Sequence, residues 1–288
     1  LSPKPERAGH CVALYRKPAY SPQQHLANDV AIMDGVVLDL ARRGWRVAKS
    51  SEQDLEQGAV PSADLILNMC QGARASERLC AIQREGVRIV NSPDSVLACH
   101  RHTLVRLLAD SDIAFPRTLI LPTWLSAEPL RALADFVGDQ QLVWVKRGDV
   151  HAEQPDDVAC VRPHDVPERL AAFAARGITR VAVQEHVPGR VLKFYALADQ
   201  SFFRFYDAEA GPSAPVPGVD EPALRQLVFA AAARLGLQVF GGDVVLAADG
   251  RPTLIDINDW PSFAPCRAEA SAAIASYLHS YALAGAAA

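Results

Sequence analysis

Apolar positions in residues 1–97 switch repeatedly between a strand-like and a helical period. His10–Tyr15 is a short apolar run with β character. From Gln23 to Arg43, Leu26, Val30, Met33, Val37 and Leu40 recur at helical spacing and stop at Gly44. Trp45–Ala48 reads as a second strand, and Ala63–Met69 reads as a buried third, apolar on both faces. Ala75–Arg84 has a helical pattern, and Val87–Asn91 makes a fourth strand. The resulting β-α-β-β-α-β rhythm predicts a small open parallel sheet with covering helices.

Asn91-Ser92-Pro93-Asp94 then punctuates the chain. Residues 98–180 read as an α+β lobe. It has helices at Arg101–Ser111, Ala127–Val137 and Val166–Arg176, and strands at Arg117–Leu121, Leu142–Lys146 and Val158–Arg162. Residues 181–288 read as a second lobe. Arg180–Val187, Val191–Ala198 and Ser201–Asp207 are spaced like an antiparallel meander. A helix, Ala223–Leu235, precedes strands Val239–Ala247 and Pro252–Ile257, which are joined by a turn ending Asp249-Gly250. A last helix covers Arg267–Tyr281. The predicted class is α/β with α+β lobes, in three parts.

Composition narrows the function classes. Of 288 residues, 50% are hydrophobic and 22% charged, as in an ordinary globular protein. The net charge of -4 and pI near 6.1 come with no clustered basic field, so no nucleic-acid partner is expected. Six scattered cysteines form no C-x-x-C pair or zinc spacing and read as reduced, mostly buried thiols. No apolar run is long enough to span a membrane, and Leu1–Arg7 has no apolar signal core. The expectation is a cytoplasmic protein with a small-molecule substrate, no membrane partner, and a homodimer as the candidate assembly.

The sharpest chemical signal is Gly241-Gly242-Asp243 on one predicted strand and Asp256-Ile257-Asn258 on the next. Asp256 and Asn258 are two apart, so they share one face of a sheet. All three are oxygen donors of the kind Mg²⁺ prefers, and a carboxylate among apolar residues is costly without a cation. The competing reading is strand-end polar residues with Asp256 in a salt bridge.

At these residues the chain resembles the ATP-grasp superfamily, and the resemblance covers nearly everything after Ala63. That superfamily includes D-alanine–D-alanine ligase, glutathione synthetase, glutamate-adding peptide ligases and one branch of inositol polyphosphate kinases. It implies an ATP-grasp fold with an N-terminal open parallel-sheet pre-ATP-grasp domain. It also implies ATP and two Mg²⁺ ions as cofactors, with Asp256 bridging the ions and Asp243 and Asn258 completing the set.

Other landmarks follow the superfamily's order. Arg101 stands fifteen residues before Pro116, where many relatives carry lysine, and a guanidinium there suits phosphate; a solvated surface arginine is the alternative. Lys146, ending Val143-Trp144-Val145, resembles the lysine that holds the α- and β-phosphates; otherwise it is a snorkelling structural lysine. The following loop has a single glycine, Gly148, where relatives are glycine-rich, and His151 is a candidate for side-chain contacts there. Gln184-Glu185-His186-Val187 resembles the hinge strand that receives adenine; an ordinary strand edge is the alternative. Lys193 and Arg204, on consecutive strands, resemble the cations that neutralise the transferring phosphoryl group, against a structural salt-bridge reading for each.

The acceptor side is less determined. Ser262, Phe263 and Arg267 follow the metal strand, with Arg267 suited to a carboxylate or phosphate. Arg74 and Glu77 face either substrate or solvent. Trp260-Pro261 and Val191-Leu192-Lys193-Phe194-Tyr195 are similar to the superfamily's inositol kinases. Two function classes therefore stand. A carbon–nitrogen ligase activates a carboxylate as an acyl phosphate for attack by an amine; a small-molecule kinase transfers the phosphoryl group to a hydroxyl. The ligase leads because ligases dominate the superfamily. A G-x-x-x-x-G-K-[ST] loop is absent from the sequence.

Overall fold

A computed structural model of the chain describes residues 9–21, 23–60, 62–124, 126–149 and 154–284. The first part is a parallel sheet of β1 (His10–Tyr15), β2 (Arg46–Ser51), β3 (Leu65–Asn68) and β4 (Arg88–Val90), in spatial order β2-β1-β3-β4. Strand β1 shows why such segments read as continuous apolar runs. Cys11 and Ala13 point into one core and Val12 and Leu14 into another, so both faces are buried. The first core is closed by α1 (Gln23–Arg42), which stops at Gly44 with φ 91°, and by the last helix. The second is closed by α2 (Glu52–Gln57) and α3 (Ala73–Arg84). Helix α2 is too short for periodicity to reveal, although Ser51 and Asp54 form a capping box around its start.

Helices α4 (Pro93–Ala98) and α5 (Arg101–Ala109) lead into a second, antiparallel sheet of β5 (Thr118–Pro122), β6 (Val143–Arg147), β7 (Val158–Val161) and β8 (Arg180–Glu185). Its order is β5-β8-β6-β7, and α6 (Ala127–Val137) and α7 (Val166–Ala175) cover its core. The third sheet has the order β10-β9-β11-β12, from β9 (Arg190–Leu197), β10 (Phe203–Asp207), β11 (Val239–Leu246) and β12 (Pro252–Asp259). Helix α8 (Glu221–Leu235), capped by Asp220 and ended at Gly236, packs on it with α5.

The expected three-strand meander from residue 180 does not form. Strand β8 pairs with β5 and β6, and only β9 and β10 pair with each other. The change of sheet falls at Gly189, whose φ is 154° and where a Cβ would lie 2.4 Å from the Leu246 carbonyl oxygen. Only glycine lets the chain cross so close to β11.

The first and third sheets share a core. Tyr195, Leu197, Trp260 and Phe263 pack with α1 and with α9 (Arg267–Ala284). Asn91 fastens the same junction. Its Oδ1 accepts from the backbone N–H groups of Gln238 at 2.7 Å and Val239 at 2.9 Å, and its Nδ2 donates to the Val239 carbonyl at 2.7 Å. All six cysteines are free, and four are buried. Among the described residues, no helix is long and apolar enough to cross a membrane.

Candidate active site

The third sheet brings the predicted cation and acids into one row. Lys193 on β9 stands opposite Asp243 on β11, which stands opposite Asp256 on β12. Paired residues of antiparallel strands project from the same face, and so do residues two apart, so Asn258 joins them. Its own partner is Gly241, where a Cβ would lie 2.6 Å from the Phe194 carbonyl oxygen, so only glycine fits there.

Charges converge on this row. Lys193 Nζ donates to Asp243 Oδ1 at 3.0 Å. Burial pushes the Asp243 carboxyl above its ordinary range, Lys193 opposes that, and the Asp256 charge beside it adds to the rise. Arg101, at the first turn of α5, donates through Nη2 to Asp256 Oδ2 at 3.4 Å and through Nη1 to the Arg147 carbonyl at 2.8 Å. Lys146 reaches over from β6, with Nζ 3.4 Å from the Ile255 carbonyl. It is only 6% exposed. Burial first, and then repulsion from Arg101, bring its pKa down from 10.5 to about 8, while Asp256 and Asp243 pull the other way. Among the described residues Lys146 has no direct carboxylate contact, and a buried lysine of this kind suits an anionic ligand.

Two cavities meet at the row, and Arg101, Asp243 and Asp256 line both. The smaller, about 320 Å³, is a slot between the second and third sheets walled by Trp144, Gln184, Glu185, His186 and Val187, with Lys146 also on its wall. Trp144 Nε1 donates to His186 Nδ1 at 3.2 Å, which fixes both rings. Gln184 Nε2 donates to Thr118 Oγ1 at 3.1 Å. The larger, about 600 Å³, holds Lys193, Tyr195 and Asn258 on one side and Arg16, Asn28 and Asp29 on the other. Among the described residues, no three His, Cys, Asp or Glu side chains are grouped closely enough for a metal ion. The donor set is instead two carboxylates and the Asn258 amide on one face, all-oxygen chemistry that fits a hard divalent cation.

No known protein-family profile matches the chain, and no characterised protein matches it by sequence. Solved structures do. The D-alanine–D-alanine ligase from Coxiella burnetii superposes with TM-score 0.71 at 13% identity, covering 95% of this chain and 94% of that one. The D-alanine–D-alanine ligase from Bacillus anthracis, complexed with ATP, gives 0.69 at 12% identity over 95% and 99%. A RimK domain ATP-grasp protein from Sphaerobacter thermophilus gives 0.67 at 21% identity over 93% and 99%. The chain has the ATP-grasp fold. The similarity spans all three sheets, so the parallel sheet is part of the same architecture and not an unrelated addition.

Within the ATP-grasp fold the remaining sequence-predicted residues divide. Ser262 lines the larger cavity. Arg267 begins α9 beside it and donates from Nη2 to Asn28 Oδ1 at 2.5 Å. Arg204 is not brought to either cavity. It stands opposite Tyr195 on the edge strand β10, is nearly half exposed, and pairs with Glu269. Arg74 and Glu77 are exposed on α3 and line neither cavity. Phe263 is fully buried, with its ring centroid 5.2 Å from that of Tyr195. Trp260 and Pro261 line the larger cavity, and Trp260, which is fully buried, also donates from Nε1 to the Val90 carbonyl at 3.0 Å, joining two sheets. His151 lies outside the described residues.

Arg16, Asn28, Asp29, Tyr195 and Asp259 were missed from sequence, although all line the larger cavity. One signal was available. Arg16 directly follows β1, and in open α/β sheets ligands gather beyond the carboxyl ends of the strands, where the strand order reverses. Here that point lies between β1 and β3.

Proposed function

We propose that the protein is an ATP- and Mg²⁺-dependent ligase that activates a small-molecule or peptide carboxylate for attack by an amine. The observation that carries this reading is the row Lys193–Asp243–Asp256, with Asn258, at the junction of a narrow aromatic-walled slot and a wider polar cavity. Its neighbours in fold include ligases, one of them complexed with ATP.

In this reading the base lies between Trp144 and the Gln184–Val187 segment, where backbone groups read its edge and Glu185 takes a ribose hydroxyl. Arg101 and Lys146 hold the phosphates by charge-assisted hydrogen bonds. Asp243, Asp256 and Asn258 would hold Mg²⁺, which supplies charge neutralisation for phosphoryl transfer. Lys193 faces the transferring group from the acceptor side and steadies the charge that builds on its oxygens. A carboxylate oxygen from the wider cavity attacks the γ-phosphorus, and ADP leaves. An amine then attacks the acyl carbon, and phosphate leaves as the amide forms.

The nucleotide half is tested by calorimetry with the non-hydrolysable analogue AMP-PNP and Mg²⁺. Binding is expected, together with a change in tryptophan fluorescence that disappears in Trp144→Phe. Absence of binding to the wild-type protein would overturn the reading.

A further inference from the structure

The Arg16 end of the larger cavity is set up for a ligand that the ligase chemistry itself does not require. Arg16 follows β1 at the strand-order reversal, and its guanidinium is fixed on two edges. Nε donates to the Met69 carbonyl at 3.3 Å, and Nη1 donates to Asp29 Oδ2 at 3.2 Å. Asp29 is itself buried and held by Ser21 Oγ at 2.5 Å. Among the described residues Nη2 has no hydrogen-bond partner, and Arg16 lines the cavity. With Nε and Nη1 both engaged, the guanidinium has already lost part of its orientational freedom, which preorganises the open edge for a planar oxyanion.

A second guanidinium contacts a lining residue of the same cavity. Arg267 donates to Asn28, a lining residue next to Asp29, and its buried Nε has no partner. Among the described residues Arg267 makes no ion pair. Arg16 is paired with Asp29, whereas Arg267 has no carboxylate partner among the described residues. Asp259, which also lines the cavity, has both oxygens engaged by Gln71 Nε2 at 3.1 and 3.0 Å.

We propose that Arg16, supported by Arg267, is an anion subsite, so that the activated substrate carries a second oxyanion group besides the carboxylate presented to Lys193. The inference rests on the ligase reading and names its substrate class: a small dianion, with a carboxylate or a phosphate at the Arg16 end.

The test is calorimetry in the presence of Mg²⁺ and AMP-PNP with three probes: glutarate, 3-phosphonopropionate and butyrate. The wild-type protein should bind one of the two dianions at least about tenfold tighter than butyrate, the gain of one charge-assisted contact. Which dianion is preferred distinguishes a carboxylate at the subsite from a phosphate. Arg16→Gln should abolish the preference. Because that change leaves Asp29 buried without its cation, the double variant Arg16→Met/Asp29→Leu removes the pair together and should abolish it as well. Equal affinity of the wild type for all three probes, failure to bind either dianion, or a preference that survives both variants overturns the subsite. AMP-PNP binding to the wild type is measured first, in a separate titration without the probes. A protein that binds the analogue without preferring dianions loses the subsite and keeps the nucleotide site, whereas one that does not bind it loses the ligase reading itself.

Discussion

Replacing Lys146 with methionine should make the unliganded protein more stable and a poorer nucleotide binder. Lys146 is 6% exposed, and among the described residues its ammonium has only the Ile255 carbonyl, at 3.4 Å, as a hydrogen-bond acceptor. Its pKa falls from 10.5 to about 8. At about 1.4 kcal/mol per pH unit, holding the charged form in the folded protein costs about 3 kcal/mol. The sign follows from proton counting. Below pH 8 the lysine is charged folded and unfolded, so the penalty is present in full. Between about pH 8 and 10.5 the unfolded chain binds more protons than the folded one, and stability rises with pH. Lys146→Met removes the penalty and should raise the melting temperature at pH 7 by about 5 °C or more. The rise in wild-type stability between pH 8 and 10.5 should shrink correspondingly. The same variant should bind Mg-ATP about 10- to 100-fold more weakly, the loss of one charge-assisted contact to phosphate. Melting curves from pH 6 to 10.5 and calorimetry with AMP-PNP measure both effects. A destabilised variant with unchanged nucleotide affinity would refute the reasoning and make Lys146 a structural residue.

Asp256→Asn should keep the melting temperature within a few degrees but reduce ADP formation at least about 100-fold at saturating Mg²⁺, because an amide is a weak substitute for the charged member of the donor set. Arg204→Ala should leave turnover within about twofold, since Arg204 is paired with Glu269 at the sheet edge and such exposed pairs contribute under about 1 kcal/mol. Steady-state kinetics measures both variants, and a large loss in Arg204→Ala would return that cation to the site. Asn91→Ala should cost about 2 kcal/mol or more in urea denaturation, because it strands the buried Val239 N–H and carbonyl and the partly buried Gln238 N–H at the junction of two sheets.

What could be read from the chain depended on whether the deciding interaction was local. Strands β1 and β3 announced themselves because both faces are buried, and α6 because its apolar positions keep one helical stripe. The two-residue spacing of Asp256 and Asn258 placed them on one face correctly, because strand geometry alone sets that parity. Parity was not enough for Arg204. It projects from the same face as Lys193, but one strand further out and beside Tyr195 rather than opposite Asp243. Which row a residue joins depends on inter-strand register, and that is a tertiary property. Strand β8 failed similarly: its pattern fits either sheet, and the crossing at Gly189 beside Leu246 decides. Arg16, Asn28 and Asp29 lie more than two hundred residues from Asp256 in sequence, and no local pattern links them to it. Trp260 lines the larger cavity, and its indole also finds an acceptor on Val90 in another sheet, a contact that no local pattern announces.

The central claim is that phosphoryl transfer here activates a carboxylate. Hydroxylamine tests it most directly, because it attacks an acyl phosphate to give a hydroxamate and leaves a phosphate ester intact. The protein incubated with ATP, Mg²⁺, hydroxylamine and a panel of small carboxylates that includes dianions should yield a hydroxamate. Formation should require ATP and be lost in Asp256→Asn. A stable phosphate ester formed with no hydroxamate would contradict the account and assign the site to hydroxyl phosphorylation.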